Sequence, residues 1–247
     1  CDYNKAVDIL TDYNDSKGSV SLQLGNIYNN EQCPFFDKKT ALAHYEESAS
    51  KNNAYAAYFL GKILTNKDSE FYDLEKGINF LHVAADADTL PARILLGRTY
   101  LDKESPFYNL EEAQEQLSLA LESLENIEKK EFYQLSKTEL QSKAQIYKYL
   151  GDIQMGHIEP HNYSNALDYY KKCKDTYEAL GDTNNVILNS IYIRMAKIHS
   201  DKMESFYNPK IAEEYLLTAL KNVQEIQAES NTGDNANFMQ HIKLQLY

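Results

Sequence analysis

Small and bulky apolar side chains recur along this chain in a fixed local order. The triplets Ala41-Tyr45-Ser48, Gly77-Leu81-Ala84, Ala113-Leu117-Ala120, Ala166-Tyr170-Cys173 and Ala212-Leu216-Ala219 all step by four and then three residues. Offsets of three, four and seven lie on one face of an α-helix, so each triplet predicts the packing stripe of a helix. Ahead of each stripe stands Asp37, Asp73, Asn109, Asn162 or Asn208, placed to cap the free N–H groups of the helix that follows.

A second marker alternates with the first. Leu-Gly occurs at Leu24-Gly25, Leu60-Gly61, Leu96-Gly97 and Leu150-Gly151, and Met195-Ala196 holds the same place later. The glycines are spaced by 36, 36 and 54 residues, and Ala196 follows 45 after the last of them. Each unit therefore reads as a capped helix, a turn, and a second helix carrying the Leu-Gly pair. Ala56 and Ala92 stand five positions before their glycines, where small side chains let helices cross closely. Between units the turns 29–34, 66–70, 103–106 and 202–205 are polar and place Pro or Ser ahead of an aromatic that would fasten the turn to the next helix. The longer intervals put extra residues at 121–139 and 176–189, and both additions suit longer helices. The pattern predicts an all-α fold, a solenoid of about five antiparallel helix pairs in a single helical-repeat domain over residues 1–247. Its units span 1–33, 34–69, 70–105, 106–157, 158–203 and 204–247, the last interrupted by a polar break at 229–236.

These residues resemble the Sel1-like repeat, a relative of the tetratricopeptide repeat. Ala92, Leu96, Gly97, Tyr100, Asn109, Glu112, Ala113, Leu117 and Ala120 fall on the family's spacings, as do Ala56, Leu60, Gly61, Asp73, Lys76, Gly77, Phe80, Ala84 and Ala85. The match covers most of residues 1–120. Later units are similar to tetratricopeptide repeats with extended helices, as in Ala166-Leu167-Asp168-Tyr169-Tyr170 leading to Ala179-Leu180-Gly181-Asp182. The family's paired turn glycines are missing, so the turn between units is expected to differ in shape. The resemblance implies a right-handed superhelix and a role as scaffold or adaptor; in bacteria many such proteins are exported or lipidated.

Composition narrows the partner. A net charge of −12 repels phosphate backbones and anionic lipid, which argues against nucleic acid and favours a protein partner with a basic surface. The slot eight positions into each capped helix holds His44, Phe80, Gln116, Tyr169 and Tyr215. Its neighbours are Glu47, Asn79, Glu115, Asp168 and Glu214. Together they are the expected partner-binding residues of a concave face, although the same slots also suit plain packing. Cys1, Cys33 and Cys173 form no C-x-x-C pair and support neither a disulfide framework nor zinc. A Cys at position 1 followed by a polar stretch resembles a processed bacterial lipoprotein, with the lipid on Cys1 and a periplasmic, membrane-anchored location; a chain boundary without biological meaning, and a cytoplasmic protein, is the alternative.

No motif carries chemistry. His157 and His161 are four apart, but Pro160 lies between them and no third ligand is near, so loop histidines are the better reading. Asp12-x-Asn14-x-Ser16 starts like a calcium loop and fails at Gly18 and Gln23. Glu111, Glu112 and Glu115 open a helix, where acids suit its dipole. Catalytic, cofactor and metal residues are all expected to be absent. The expected role is a non-catalytic protein-interaction scaffold of the bacterial cell envelope that supports assembly of a secretion or polysaccharide-export complex. An immunity protein against a delivered, type VI-type toxin, and a cytosolic adaptor, are the alternatives.

Overall fold

The computed structural model describes residues 3–11, 15–130, 133–156, 162–181, 186–202 and 205–230. Cys1, Asp12, Asn14, His157, His161 and the stretch 231–236 lie outside the described residues. Eleven α-helices follow one another among the described residues: α1 Tyr3–Thr11, α2 Ser19–Tyr28, α3 Lys38–Ser50, α4 Ala54–Leu64, α5 Leu74–Asp86, α6 Leu90–Tyr100, α7 Leu110–Glu128, α8 Lys137–Gly156, α9 Tyr163–Ala179, α10 Val186–Ser200 and α11 Pro209–Ser230. The even-numbered helices from α2 onward carry Leu-Gly or Met195-Ala196; the odd-numbered ones from α3 onward begin behind an Asp or Asn.

Those Asp and Asn residues cap as their chemistry dictates. The side chains of Asp37, Asp73, Asn109, Asn162 and Asn208 accept from the backbone N–H of Lys39, Lys76, Glu112, Asn165 and Ile211 at 3.0 to 3.3 Å. Each cap has a second function. Its own N–H donates to a carbonyl at the end of the preceding helix, on Tyr28, Leu64, Tyr100, Gln154 and His199, at 2.8 to 3.0 Å. One residue thus satisfies orphan donors of the incoming helix and an orphan carbonyl of the outgoing one.

The turn between units is built without paired glycines. Asn30, Asn66 and Asp102 accept through their side chains from the N–H groups of Gln32, Asp68 and Glu104, and through their carbonyls from Cys33, Ser69 and Ser105. Such side-chain turns imitate a backbone turn, so Asn or Asp replaces the glycine. Of the aromatics that follow, Phe35 packs its ring 6.4 Å from that of Tyr28, on the helix before the turn. Within the hairpins, Asn52 and Asp88 take the left-handed conformation at φ 63° and 57°, which Asn and Asp tolerate best among residues with a side chain.

The core follows from one contact repeated. An added Cβ at Gly25, Gly61, Gly97 or Gly151 would stand 2.5 to 2.6 Å from the bulky residue of the next capped helix, Tyr45, Leu81, Leu117 or Tyr170. The glycine is a socket for that side chain. All four side chains are fully buried, and burial of each leucine contributes about 2 kcal/mol. The later helices are longer: α7 to α10 have 15 to 20 residues against 11 to 13 in α3 to α6.

The chain divides into two compact units, Cys1–Ala120 and Leu121–Tyr247, with the boundary inside α7. The first unit holds the regular repeats. At its start Gly18 adopts φ 73° and accepts 2.6 Å from the Ser48 hydroxyl; a side chain there would be strained and would meet the Ser48 backbone. The second unit has a core around Tyr170, Tyr177, Leu188, Ile191 and Met195, with buried Asn189 accepting from Asn222 at 3.0 Å.

Candidate functional site

The position one past each glycine decides what the surface offers. These residues are Asn26, Lys62, Arg98 and Asp152, with Lys197 after Ala196. Where the socketed side chain is tyrosine, the next residue is an acceptor: Tyr45 donates its hydroxyl proton to Asn26 at 2.9 Å and Tyr170 to Asp152 at 2.8 Å. Leucine needs no acceptor, and there the position holds a base, Lys62, Arg98 or Lys197, exposed to solvent.

In the first unit, Lys62 and Arg98 line an open cleft of about 530 Å³ between α4 and α6. Thr65, Asn66, Thr99 and Ser105 give it polar walls, and Tyr72, 42% exposed, and Leu74 add apolar surface. Lys67 and Asp102 also lie there and neutralise one another across 2.8 Å; their hydrogen bond pushes the lysine pKa up and holds the Asp102 carboxyl low. The side chains of Lys62 and Arg98 make neither an ion pair nor a hydrogen bond among the described residues. Burial raises the pKa of the Tyr58 phenol while the charge of Arg98 pulls against it. One repeat earlier a cleft of about 510 Å³ shares Lys62 and Asn66 and adds Lys38, Phe59, Glu31, Asp68 and Glu70.

The second unit closes the equivalent position. Asp152 receives Tyr170, Lys148 at 2.9 Å, and Arg194, which also bonds the Ser190 carbonyl at 3.2 Å. Every charge in this group has a partner, as a half-buried network requires. A shallow opening of about 340 Å³ with Met155, Gly156 and Lys197 lies over it. Among the described residues no three His, Cys, Asp or Glu are placed to hold a metal ion, and no helix is long and apolar enough to cross a membrane.

The ten residues expected on a concave face sort into two kinds. His44, Phe80, Gln116, Tyr169 and Tyr215 are wholly or partly buried by packing. His44 stacks on Tyr28 at 5.5 Å, Tyr169 lies 6.3 Å from Tyr147, and Tyr215 stacks on Tyr192 and His199 at 5.9 and 6.0 Å. Gln116 bonds Arg93 and Glu112. Their neighbours Glu47, Asn79, Glu115, Asp168 and Glu214 are exposed, but Glu47 and Asp168 each pair with their own Lys51 and Lys172 at 2.8 Å. None of the ten lines the three clefts described above. Sequence reasoning passed over Lys62 and Arg98, although aligning the residue after each Leu-Gly would have found them.

No protein-family model matches the sequence, and no curated protein matches it. Solved structures do. A Sel1 repeat protein from Oxalobacter formigenes superimposes with a TM-score of 0.59 at 17% identity, over 94% of this chain and 88% of that one. A sel1 repeat protein from Klebsiella pneumoniae subsp. pneumoniae gives 0.52 at 13% identity, over 98% and 97%. At these identities the likeness shows the fold: an all-α Sel1-like repeat solenoid of helix pairs.

Proposed function

We propose that this chain is a non-catalytic scaffold that holds a partner protein along the Leu-Gly helices of its first unit. One observation carries the reading. Two open clefts stand side by side there, built from equivalent residues of successive repeats and sharing Lys62 and Asn66. Enzymes gather titratable groups in an enclosed pocket; a row of open polar clefts instead suits an extended segment of another chain. Solenoids that use their repeats in this way read one stretch of partner per repeat.

Affinity capture of the full chain from its source organism, with p-benzoylphenylalanine in place of Thr65, tests this. A single cross-linked polypeptide of defined mass supports the scaffold, and no cross-link overturns it. A bacterial envelope setting, in a secretion or polysaccharide-export complex, is the narrower form of the proposal and is supported by the family resemblance. Its check is the intact mass of the native protein: lipid on Cys1 supports it, and an unmodified chain led by Met excludes it.

A further inference from the structure

We infer that the α4/α6 cleft selects an acidic, extended segment of the partner, with Lys62 and Arg98 each receiving one carboxylate. The inference rests on the scaffold reading above and names the chemistry that the scaffold recognises. It runs against the overall charge of the chain, and for that reason it is informative. The chain carries 37 acidic residues against 25 basic ones. In the first unit Lys51, Lys67, Lys76 and Arg93 each meet a carboxylate at 2.8 to 3.4 Å, whereas Lys17, Lys38 and Lys103 enter no salt bridge among the described residues. Lys62 and Arg98 enter none either, and these two face one cleft from equivalent positions 36 residues apart. Of the three arginines, Arg93 is paired with Asp88 and Arg194 with Asp152, which leaves Arg98 as the fork without an acid among the described residues. A guanidinium presents parallel donors that match a carboxylate, and a nearby ammonium adds a second point of attraction.

The spacing of the helices sets the spacing of the acids. Helices packed side by side have axes about 8–10 Å apart. A polyproline-II segment rises about 3.1 Å per residue with three residues per turn, so carboxylates three residues apart lie on one face about 9 Å from each other and would reach both cations. Thr65, Asn66 and Thr99 supply donors and acceptors for the intervening peptide groups, and Tyr72 offers a ring to an apolar side chain between the two acids.

The test uses the full chain and a fluorescein-labelled decapeptide with two glutamates three residues apart, read by fluorescence anisotropy. Controls are the same peptide with both glutamates replaced by Gln, one with both replaced by Lys, and a fourth with the glutamates adjacent. The expected result is tightest binding of the spaced acidic peptide, weakening as salt rises. Lys62→Gln and Arg98→Gln should each reduce affinity about three- to fivefold, the upper part of the range for exposed charge pairs. Lys210→Gln makes the same change of net charge at an exposed side chain that does not line the cleft and should leave affinity within about twofold, since net charge alone acts weakly through screening salt. Equal binding of all four peptides overturns the inference, as does displacement of the acidic peptide by inorganic phosphate at matched ionic strength without any dependence on spacing, which would mark a general anion site. If no acidic peptide binds while the Thr65 cross-link persists, the acidic specificity fails and the scaffold stands. If the cross-link is also absent, the scaffold reading fails with it.

Discussion

Replacing Gly61 by Ala adds one methyl group inside α4 and separates two opposing effects. In an open helix the change stabilises by about 1 kcal/mol, because Ala restricts the unfolded chain and favours the helix. Here the new Cβ would stand 2.5 Å from Leu81 Cγ, 2.6 Å from its Cδ2 and 3.0 Å from the Gly77 carbonyl oxygen. The Cγ is not the free end of a side chain, and Leu81 is fully buried, so relief requires α4 and α5 to separate or Leu81 to leave its rotamer. Overpacking of this kind costs about 1–3 kcal/mol, which offsets or outweighs the propensity gain and predicts a net loss of up to about 2 kcal/mol. The assay is urea unfolding followed by circular dichroism at 222 nm, read as a fall in midpoint at constant slope. Two further variants isolate the cause. Gly156→Ala, at the end of α8 with nothing within 4 Å of the added atom, should be neutral or slightly stabilising. Leu81→Ala alone should cost about 2–5 kcal/mol, and in that background Gly61→Ala should lose most of its penalty, because the two nearest atoms are gone and only the Gly77 carbonyl oxygen at 3.0 Å remains close. A Gly61→Ala protein more stable than the parent, or the same effect of the methyl with and without Leu81, would refute the socket.

Tyr170→Phe should cost about 1.5–3 kcal/mol, since its hydroxyl serves a charged acceptor, whereas Tyr45→Phe, which loses a bond to neutral Asn26, should cost about 1 kcal/mol; equal costs in urea titrations contradict the role assigned to Asp152. Burial pushes the Cys173 thiol up to about 12, so at pH 8 it should resist iodoacetamide in the folded chain and react once urea unfolds it; prompt labelling of the folded protein contradicts this. Partial burial works to raise the pKa of Asp15, but hydrogen bonds from Ser21, the Val20 N–H and Lys51 prevail and hold it well below the usual carboxylate range. Because the folded value is depressed, its contribution is complete above about pH 4 and is lost as pH falls through the folded value, so acid loosens the start of α2 from the end of α3. Carboxyl-detected NMR should show Asp15 titrating below the other aspartates, and an ordinary midpoint there would remove the effect.

The helices were legible because each rests on local chemistry. Asp37, Asp73, Asn109, Asn162 and Asn208 cap where the spacing put them, and the small and bulky slots meet as socket and side chain through offsets visible in the text of the chain. The socket also explains why Tyr or Leu serves equally: either fills the space above a glycine. The double use of each cap, as donor to the helix before it, was not legible, since it needs the end of one helix and the start of the next to be placed together. The turn was expected to differ for want of glycine, and it does so through the side chains of Asn30, Asn66 and Asp102. The division at Ala120 and Leu121 falls inside an unbroken helix, where no Gly, Pro or polar run marks it. The candidate site escaped for another reason. Pattern reading rewards helical periodicity and led to the slot of His44, Phe80 and Gln116, whose side chains are wholly or partly buried. Lys62 and Arg98 recur one position after the glycine of their repeats, but that their side chains share a cleft and meet no carboxylate there is visible only once the helices are placed.

Hydrogen exchange of the full chain, alone and with its captured partner, tests most directly where that partner sits. The account predicts new protection over residues 62–66 and 98–102, the cleft-facing ends of α4 and α6, with little change over residues 44–47 and 79–80. Protection confined to 44–47 and 79–80, with the ends of α4 and α6 exchanging as before, would contradict it and move binding to the capped helices.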